Sequence, residues 1–332
     1  MTKRRLLAVL MVVGVLVLPA CGDDGDDDAS GSGGGGSENS DITIEVVTHG
    51  QASDSFWSVV KNGIEQAGED VNASVSYSAP DTFDMVKMSQ LIDAAVAKNP
   101  DGLIVSVPDY DALKDSLESA VDAGIPIITM NSGSESFKDI GAITHVGQDE
   151  TAAGEGAGQQ LADAGTKNVI CVNQEVGNSS LDDRCNGAKT MIEEAGGKLE
   201  VVQVDLKDAA GAQSTVKSKL QNDSSIDGIL TLGPTGAAPA LAALKELGKN
   251  GQVKLGTFDL SPEVLDAITA GDMEFAVDQQ QYLQGYLSVT FMALNIRNLN
   301  TVGGGDPVPT GPGFVTKETA EKVKQLSEDG TR

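Results

Sequence analysis

From Asp41 onward short β-branched runs recur every 20 to 35 residues, and no other feature narrows the fold so strongly. Ile42–Val47, Ser74–Tyr77, Gly102–Val107, Pro126–Met130 and Ile143–Val146 form a first set. Asn168–Asn173, Leu199–Val204, Gly228–Leu232, Lys254–Phe258 and Phe275–Val277 form a second. Most are apolar along their length, the pattern of strands buried on both faces. Between them apolar residues repeat with helical spacing, as in Val60/Ile64/Ala67/Val71, Met85/Met88/Ile92/Ala95 and Leu113/Leu117/Val121. Strand–helix alternation selects parallel sheets covered by helices. The series divides near Gly147-Gln148-Asp149 into two sets of similar size, so two doubly wound, Rossmann-like α/β lobes fit better than one ten-stranded sheet. Composition agrees, since 40% hydrophobic residues can fill two cores, whereas 4% aromatics do not suit an aromatic-rich β sandwich.

The first forty residues are of another kind. Lys3, Arg4 and Arg5 precede the uncharged run Leu6–Leu18, which is short for about 30 Å of hydrocarbon but fits the core of an export signal. Leu18-Pro19-Ala20-Cys21 resembles the bacterial lipobox, so residues 1–21 read as a lipoprotein signal peptide ending at a lipidated Cys21. An ordinary secretory signal or an uncleaved anchor would still place the remainder outside the cytoplasm. Residues 22–40 hold six acids, no base and a Gly33–Gly36 run, and read as a disordered tether reaching roughly 25 Å. Their aspartates lack the spacing and closing Glu of a calcium loop, so no metal site is expected. The expected location is extracytoplasmic, lipid-anchored to the cell membrane. A net charge of −26 removes nucleic acid as a partner.

In open α/β sheets ligands sit beyond the carboxyl ends of the strands. That rule selects His49–Trp57, Pro108-Asp109 and Asn131-Ser132, then Gln174–Asn178, Gly233–Thr235, Asp259 and Gln279. Phe56 stands beside Trp57, the single tryptophan, and aromatic rings next to acids and amides suit the C–H faces and hydroxyl rim of a sugar. Each candidate also has a structural reading. Phe56 and Trp57 could anchor the helix they begin, Asp259 could cap the segment at Ser261-Pro262, Asn178 could serve only a turn, and His49 could be a satisfied strand-end residue. Cys171 and Cys185 remain once Cys21 is assigned, and an even pair in an exported chain points to a disulfide, with two free thiols as the other state.

No cofactor site is expected: a P-loop, a Gly-x-Gly-x-x-Gly after a strand and a Cys/His metal set are all missing from the sequence. Only His49 and His145 could serve a nucleophile, and there is no Gly-x-Ser-x-Gly elbow, so an enzyme is not expected. The enzymatic rival is glycoside hydrolysis by Asp54 facing Asp259.

Ser53-Asp54-Ser55-Phe56-Trp57, Gly124–Asn131, Val146–Asp149, Arg184-Cys185-Asn186-Gly187, Phe258-Asp259 and Asp278–Tyr286 occur in an order that resembles the type I periplasmic binding proteins of the ribose/galactose class. The likeness covers Ile42–Val315. It implies ligand contacts from Asp54, Phe56, Trp57 and Asn131 in one lobe and from Arg184, Asp259 and Gln279 in the other; Asn178 joins them from the strand-end rule. Arg184 would otherwise be a surface residue pairing Asp182 or Asp183. The chain departs from ribose-type proteins where Asn131-Ser132 replaces an Asp-Arg pair and Gly233-Pro234 replaces an Asn, which leaves the identity of the sugar open.

The resemblance further implies a first lobe of 41–148 plus 281–305 and a second of 149–280 plus 306–332. They would be joined by a multi-strand hinge near Gly147–Asp149, Asp278–Gln281 and Gly303–Pro309. It implies a monomer that captures a small sugar or polyol by closing its cleft and hands it to the permease of an ABC importer. The alternative on the same fold is a receptor reporting a ligand, such as a furanose signal molecule, to a membrane sensor or chemoreceptor.

Overall fold

The structure, a computed structural model, describes residues 42–50 and 54–332. The signal segment, Cys21 and the tether at 22–40 lie outside the described residues. The first lobe opens with β1 (Thr43–Val47), α1 (Ser55–Asp70), β2 (Ser74–Ser78), α2 (Met85–Val96) and β3 (Gly102–Val105). It continues with α3 (Tyr110–Asp122), β4 (Ile127–Met130), the short α4 (Phe137–Ile140) and β5 (His145–Gly147). After the first crossing come α5 (Glu150–Asp163), β6 (Asn168–Asn173), α6 (Ser179–Glu194), β7 (Lys198–Gln203) and α7 (Ala209–Asn222). Then follow β8 (Gly228–Thr231), α8 (Pro234–Leu247), β9 (Lys254–Phe258), α9 (Pro262–Ala270) and β10 (Phe275–Asp278). The chain returns as α10 (Gln281–Asn298) and β11 (Val308–Pro309), and ends with β12 (Gly313–Thr316) and α11 (Ala320–Glu328).

Two six-stranded sheets result, in the orders β11-β5-β4-β3-β1-β2 and β12-β10-β9-β8-β6-β7. All pairings are parallel except β12 against β10. Central strands such as β3, β4 and β8 are buried at every residue, which explains why they read as unbroken apolar runs. Strand order reverses beside β1 in one lobe and beside β6 in the other, and a doubly wound sheet opens its crevice at those points.

Polar residues cluster at the strand ends for a second reason besides ligand contact. Asp54, Asp84, Asp109, Asp149, Asn178, Asp208 and Ser261 each cap a helix by accepting a backbone N–H two or three residues on. Every cap of this kind occupies the turn from strand to helix, and two of them, Asp54 and Asn178, also line the cleft described below.

Helix α10 lies on the first lobe, where a Cβ at Gly285 would come within 2.3 Å of the Val60 carbonyl. The third crossing differs from expectation. Val308–Pro309 pairs parallel with Val146–Gly147, so the first lobe extends past 306 and the chain crosses at Thr310–Pro312. A two-residue edge strand containing proline leaves almost no sequence signal.

Candidate functional site

The carboxyl ends of β1, β4, β6, β8, β9 and β10 converge on one cleft between the lobes. Asp54, Phe56, Trp57, Asn131, Asn178, Arg184, Asp259 and Gln279 all line it. So do His49, Gln174, Glu175 and Thr235, together with Gly233 and Pro234 at the site of the departure noted above.

Three carboxyls form the floor and walls. Asp54 Oδ1 accepts the Phe56 N–H at 2.9 Å, Glu175 Oε2 accepts from Asn178 Nδ2 at 2.7 Å, and Asp259 Oδ1 accepts from Gln279 Nε2 at 2.6 Å. The second oxygen of each has no hydrogen bond from the described residues, and all three residues line the cavity. Burial pushes the Glu175 and Asp259 carboxyls up to about 7, although Asn178 and Arg184 pull in the other direction, and burial raises Asp54 as well. Burial, helped by Arg184, lowers His49 to about 3, so its ring is neutral.

Arg184 is a buried residue of α6, not the surface partner of Asp182 or Asp183. Its Nε and Nη2 grip Glu150 at 2.6 and 2.9 Å, and Nη1 donates to the Leu232 carbonyl at 3.2 Å. The guanidinium carbon sits 4.5 Å from the centre of the Phe258 ring. Three of its five N–H groups are thereby used, which leaves two for a ligand. Gly154 makes this placement feasible: a Cβ there would lie 2.3 Å from the Arg184 carbonyl, so α5 and α6 can approach only through glycine.

The amides have a different task from the one expected. Asn131 Nδ2 donates to both Gln279 Oε1 and Gln284 Oε1, at 3.1 and 3.2 Å, which uses both its N–H groups. Gln279 in turn holds Asp259, while Asn178 caps α6 and holds Glu175. These amides position the acids that face the cavity. Asn131 and Asp259 occupy equivalent strand ends of the two lobes and share the left-handed φ of 65°, a conformation Asn and Asp tolerate well.

Phe56 and Trp57 serve packing as well as the cleft. They meet edge to face at 5.0 Å within the first lobe's core, and Trp57 meets His49 at 4.8 Å. The disulfide expectation is met: Cys171 and Cys185 are joined, tying β6 to α6 around the segment that carries Glu175 and Asn178. In the chain-entropy description a loop of this size contributes about 3 kcal/mol.

Glu175, Gln174 and Glu150 were not singled out by sequence reasoning. Glu175 and Gln174 fall inside the strand-end span Gln174–Asn178, whereas Glu150 carries no signal beyond its place on the first crossing.

A direct latch spans the cleft mouth. Ser179 N–H and Oγ both donate to the Pro108 carbonyl of the other lobe, each at 3.0 Å. Ser179 is the first residue of α6 and Asn178 before it is extended, so proline fits there without strain. Ser179→Pro removes both donors and is expected to enlarge the radius of gyration of the ligand-free protein in solution scattering, with Ser179→Ala giving the smaller change. An unaltered scattering curve for the proline variant would show that the latch contributes nothing.

Residues 44–298 match the family described as the periplasmic binding protein domain. The chain belongs to the periplasmic binding protein family. Its two-lobe, two-sheet fold is that of the type I periplasmic binding proteins. This periplasmic binding protein is similar to a carbohydrate transporter from Acidothermus cellulolyticus solved in complex with myo-inositol. The two are 38% identical with a TM-score of 0.83, over 88% of this chain and 99% of the other. It is 24% identical to the ribose import binding protein RbsB of Bacillus subtilis, over 86% of this chain and 91% of the relative. It is also 24% identical to the xylose/arabinose-binding protein XylF of Sulfolobus acidocaldarius, over 80% and 69% respectively. The family consists of non-enzymatic solute-binding proteins, so the glycosidase reading of Asp54 and Asp259 is set aside.

Proposed function

We propose that this periplasmic binding protein captures a small sugar or cyclic polyol outside the cytoplasm and delivers it to an ABC importer, as a monomer moored by lipid on Cys21. The observation that carries this reading is the convergence of Asp54, Glu175, Asp259, Arg184 and Trp57, from both lobes, on one enclosed cleft. Open carboxyl oxygens and two free guanidinium N–H groups suit a ring of hydroxyls, and the Trp57 and Phe56 edges suit its C–H face. The myo-inositol complex of the Acidothermus relative supports a cyclic polyol within that class.

Ligand groups touching both lobes are fully engaged only when the cleft is shut, so the solute shifts the equilibrium by its differential affinity for the closed form. The lobes move about Gly147–Asp149, Asp278–Gln281 and Thr310–Pro312, where the three crossings lie. No bond of the solute is changed.

A thermal-shift panel of myo-inositol, pentoses and hexoses tests the reading, because a solute at 100 times its Kd adds about 2.7 kcal/mol to stability. A rise in melting temperature with at least one member is expected; a flat panel counts against carbohydrate capture. Trp57→Ala is expected to weaken the active compound at least about tenfold in titration calorimetry. Unchanged affinity in a folded variant would remove Trp57 from the site.

A further inference from the structure

We propose that the preferred solute of this cleft is a cyclic polyol bearing one protonated amine, seated between Asp54 of the first lobe and Glu175 of the second. This rests on the polyol reading above and sharpens it. Asp54, Glu175 and Asp259 line the cavity, and the one cation among its described lining residues, Arg184, is already matched by a two-pronged pair with Glu150. Three lining carboxyls and Glu150 thus stand against one guanidinium. A buried carboxylate without a counter-charge is costly, and such groups are ordinarily paired.

The hydrogen-bonding groups of the lining can accommodate it. One oxygen on each of Asp54, Glu175 and Asp259 has no hydrogen bond from the described residues, and Gln174, another lining residue, has a buried Oε1 with no partner among them. Both Asn131 N–H groups and the Ser132 hydroxyl are spent within the protein, and the donors that remain include two N–H groups of Arg184 and the Trp57 indole N–H. A hydroxyl brings one donor and also needs to be donated to; an ammonium brings three donors, no acceptor and a charge.

The place follows from what faces each acid. Asp54 and Glu175 repel one another across the cleft. His49 Nε2 lies 3.9 Å from Glu175 Oε2, but burial keeps that ring neutral. Arg184 acts more strongly on Asp259 and is itself engaged by Glu150. In the outer chamber beyond Glu175, Lys207 is accompanied by Asp205 and Asp208. An ammonium between Asp54 and Glu175 therefore fills the one corner without a counter-ion, and it touches both lobes. A chain of net charge −26 also raises the local concentration of cationic solutes.

Titration calorimetry at pH 7.5 decides the matter, using myo-inositol and its mono-amino analogue, and glucose, glucosamine and N-acetylglucosamine. The expected result is an amine at least about tenfold tighter than its parent polyol, an advantage lost on acetylation. Glu175→Gln and, should it fold poorly, Asp54→Asn are expected to bring the amine-to-parent ratio close to one. Repeating the titration at pH 6.5 in buffers of different ionisation enthalpy is expected to show proton release with the amine. If a parent polyol binds as tightly as its amine, the inference is overturned while polyol capture stands. If none of the five compounds binds, the inference falls, and polyol capture falls with it if the thermal-shift panel is also flat.

Discussion

Glu150→Ala destabilises the second lobe by about 3–5 kcal/mol, read as a lower urea midpoint, because it leaves a buried guanidinium without its counter-charge. Glu150 and Arg184 are each only 3% exposed. Glu150 Oε2 also accepts from Gln148 Nε2 at 2.8 Å, so the same substitution strips a buried amide on the first crossing. Replacing both charges, as Glu150→Leu with Arg184→Met, is expected to recover most of the stability but none of the affinity for the solute found in the thermal-shift panel. That split separates the ion pair's structural part from the two N–H groups Arg184 offers the cavity. A single Glu150→Ala variant within about 1 kcal/mol of the parent would mean that water reaches Arg184 and that the pair is not buried in solution.

Ligand-free protein opens as pH rises from about 4.5 to 7.5. In the shut cleft Asp259 and Glu175 hold their protons up to about 7, against ordinary values of 3.8 and 4.5, because burial penalises the charged form. Between those limits the closed form binds protons that a hydrated, open cleft does not. Its advantage is therefore complete below the ordinary carboxyl values and is lost as pH climbs through about 7. His49 works in the opposite direction: lowered to about 3 from 6.5, it favours the closed form above 6.5 and disfavours it as pH falls. Two carboxyls outweigh one imidazole, and Asp54, also raised by burial, adds to them. The radius of gyration of the empty protein should grow over this range and level off above it. Glu175→Gln with Asp259→Asn should flatten the curve, and His49→Gln should steepen it. A radius that is constant or shrinks with pH contradicts the protonated state of the shut cleft.

The strands were legible because buried parallel strands carry their signal locally. Asn168–Asn173 and Lys254–Phe258 emerge with the limits read from sequence, each apolar across its centre and closed by a polar residue or followed by one. β11 and β12 were not legible, since Val308–Pro309 and Gly313–Thr316 are short, interrupted by Gly and Pro, and held by partners 35 or more residues away. The strand-end rule found the cleft but did not sort its residues. Asp54 and Asn178 are polar because they cap helices, and only the first also offers an open oxygen to the cavity. Partnership was the hidden variable. Arg184 meets Glu150 from 34 residues away and Asn131 meets Gln279 from 148, so nothing near either residue in sequence announces how many of its donors are already taken.

The return of the chain to the first lobe sets an order of assembly. The second lobe's strands β6 to β10 come from one unbroken stretch, Asn168–Asp278, whereas the first lobe receives α10 and β11 only from Gln281–Pro309. A polypeptide threaded outward from its N-terminus thus holds the face of α1 beneath Gly285 bare until nearly the whole chain has passed. Neither sheet can finish until the chain reaches the last crossing, because β11 at Val308–Pro309 closes the first and β12 at Gly313–Thr316 closes the second, and a product cut short before Val308 lacks an edge strand of each.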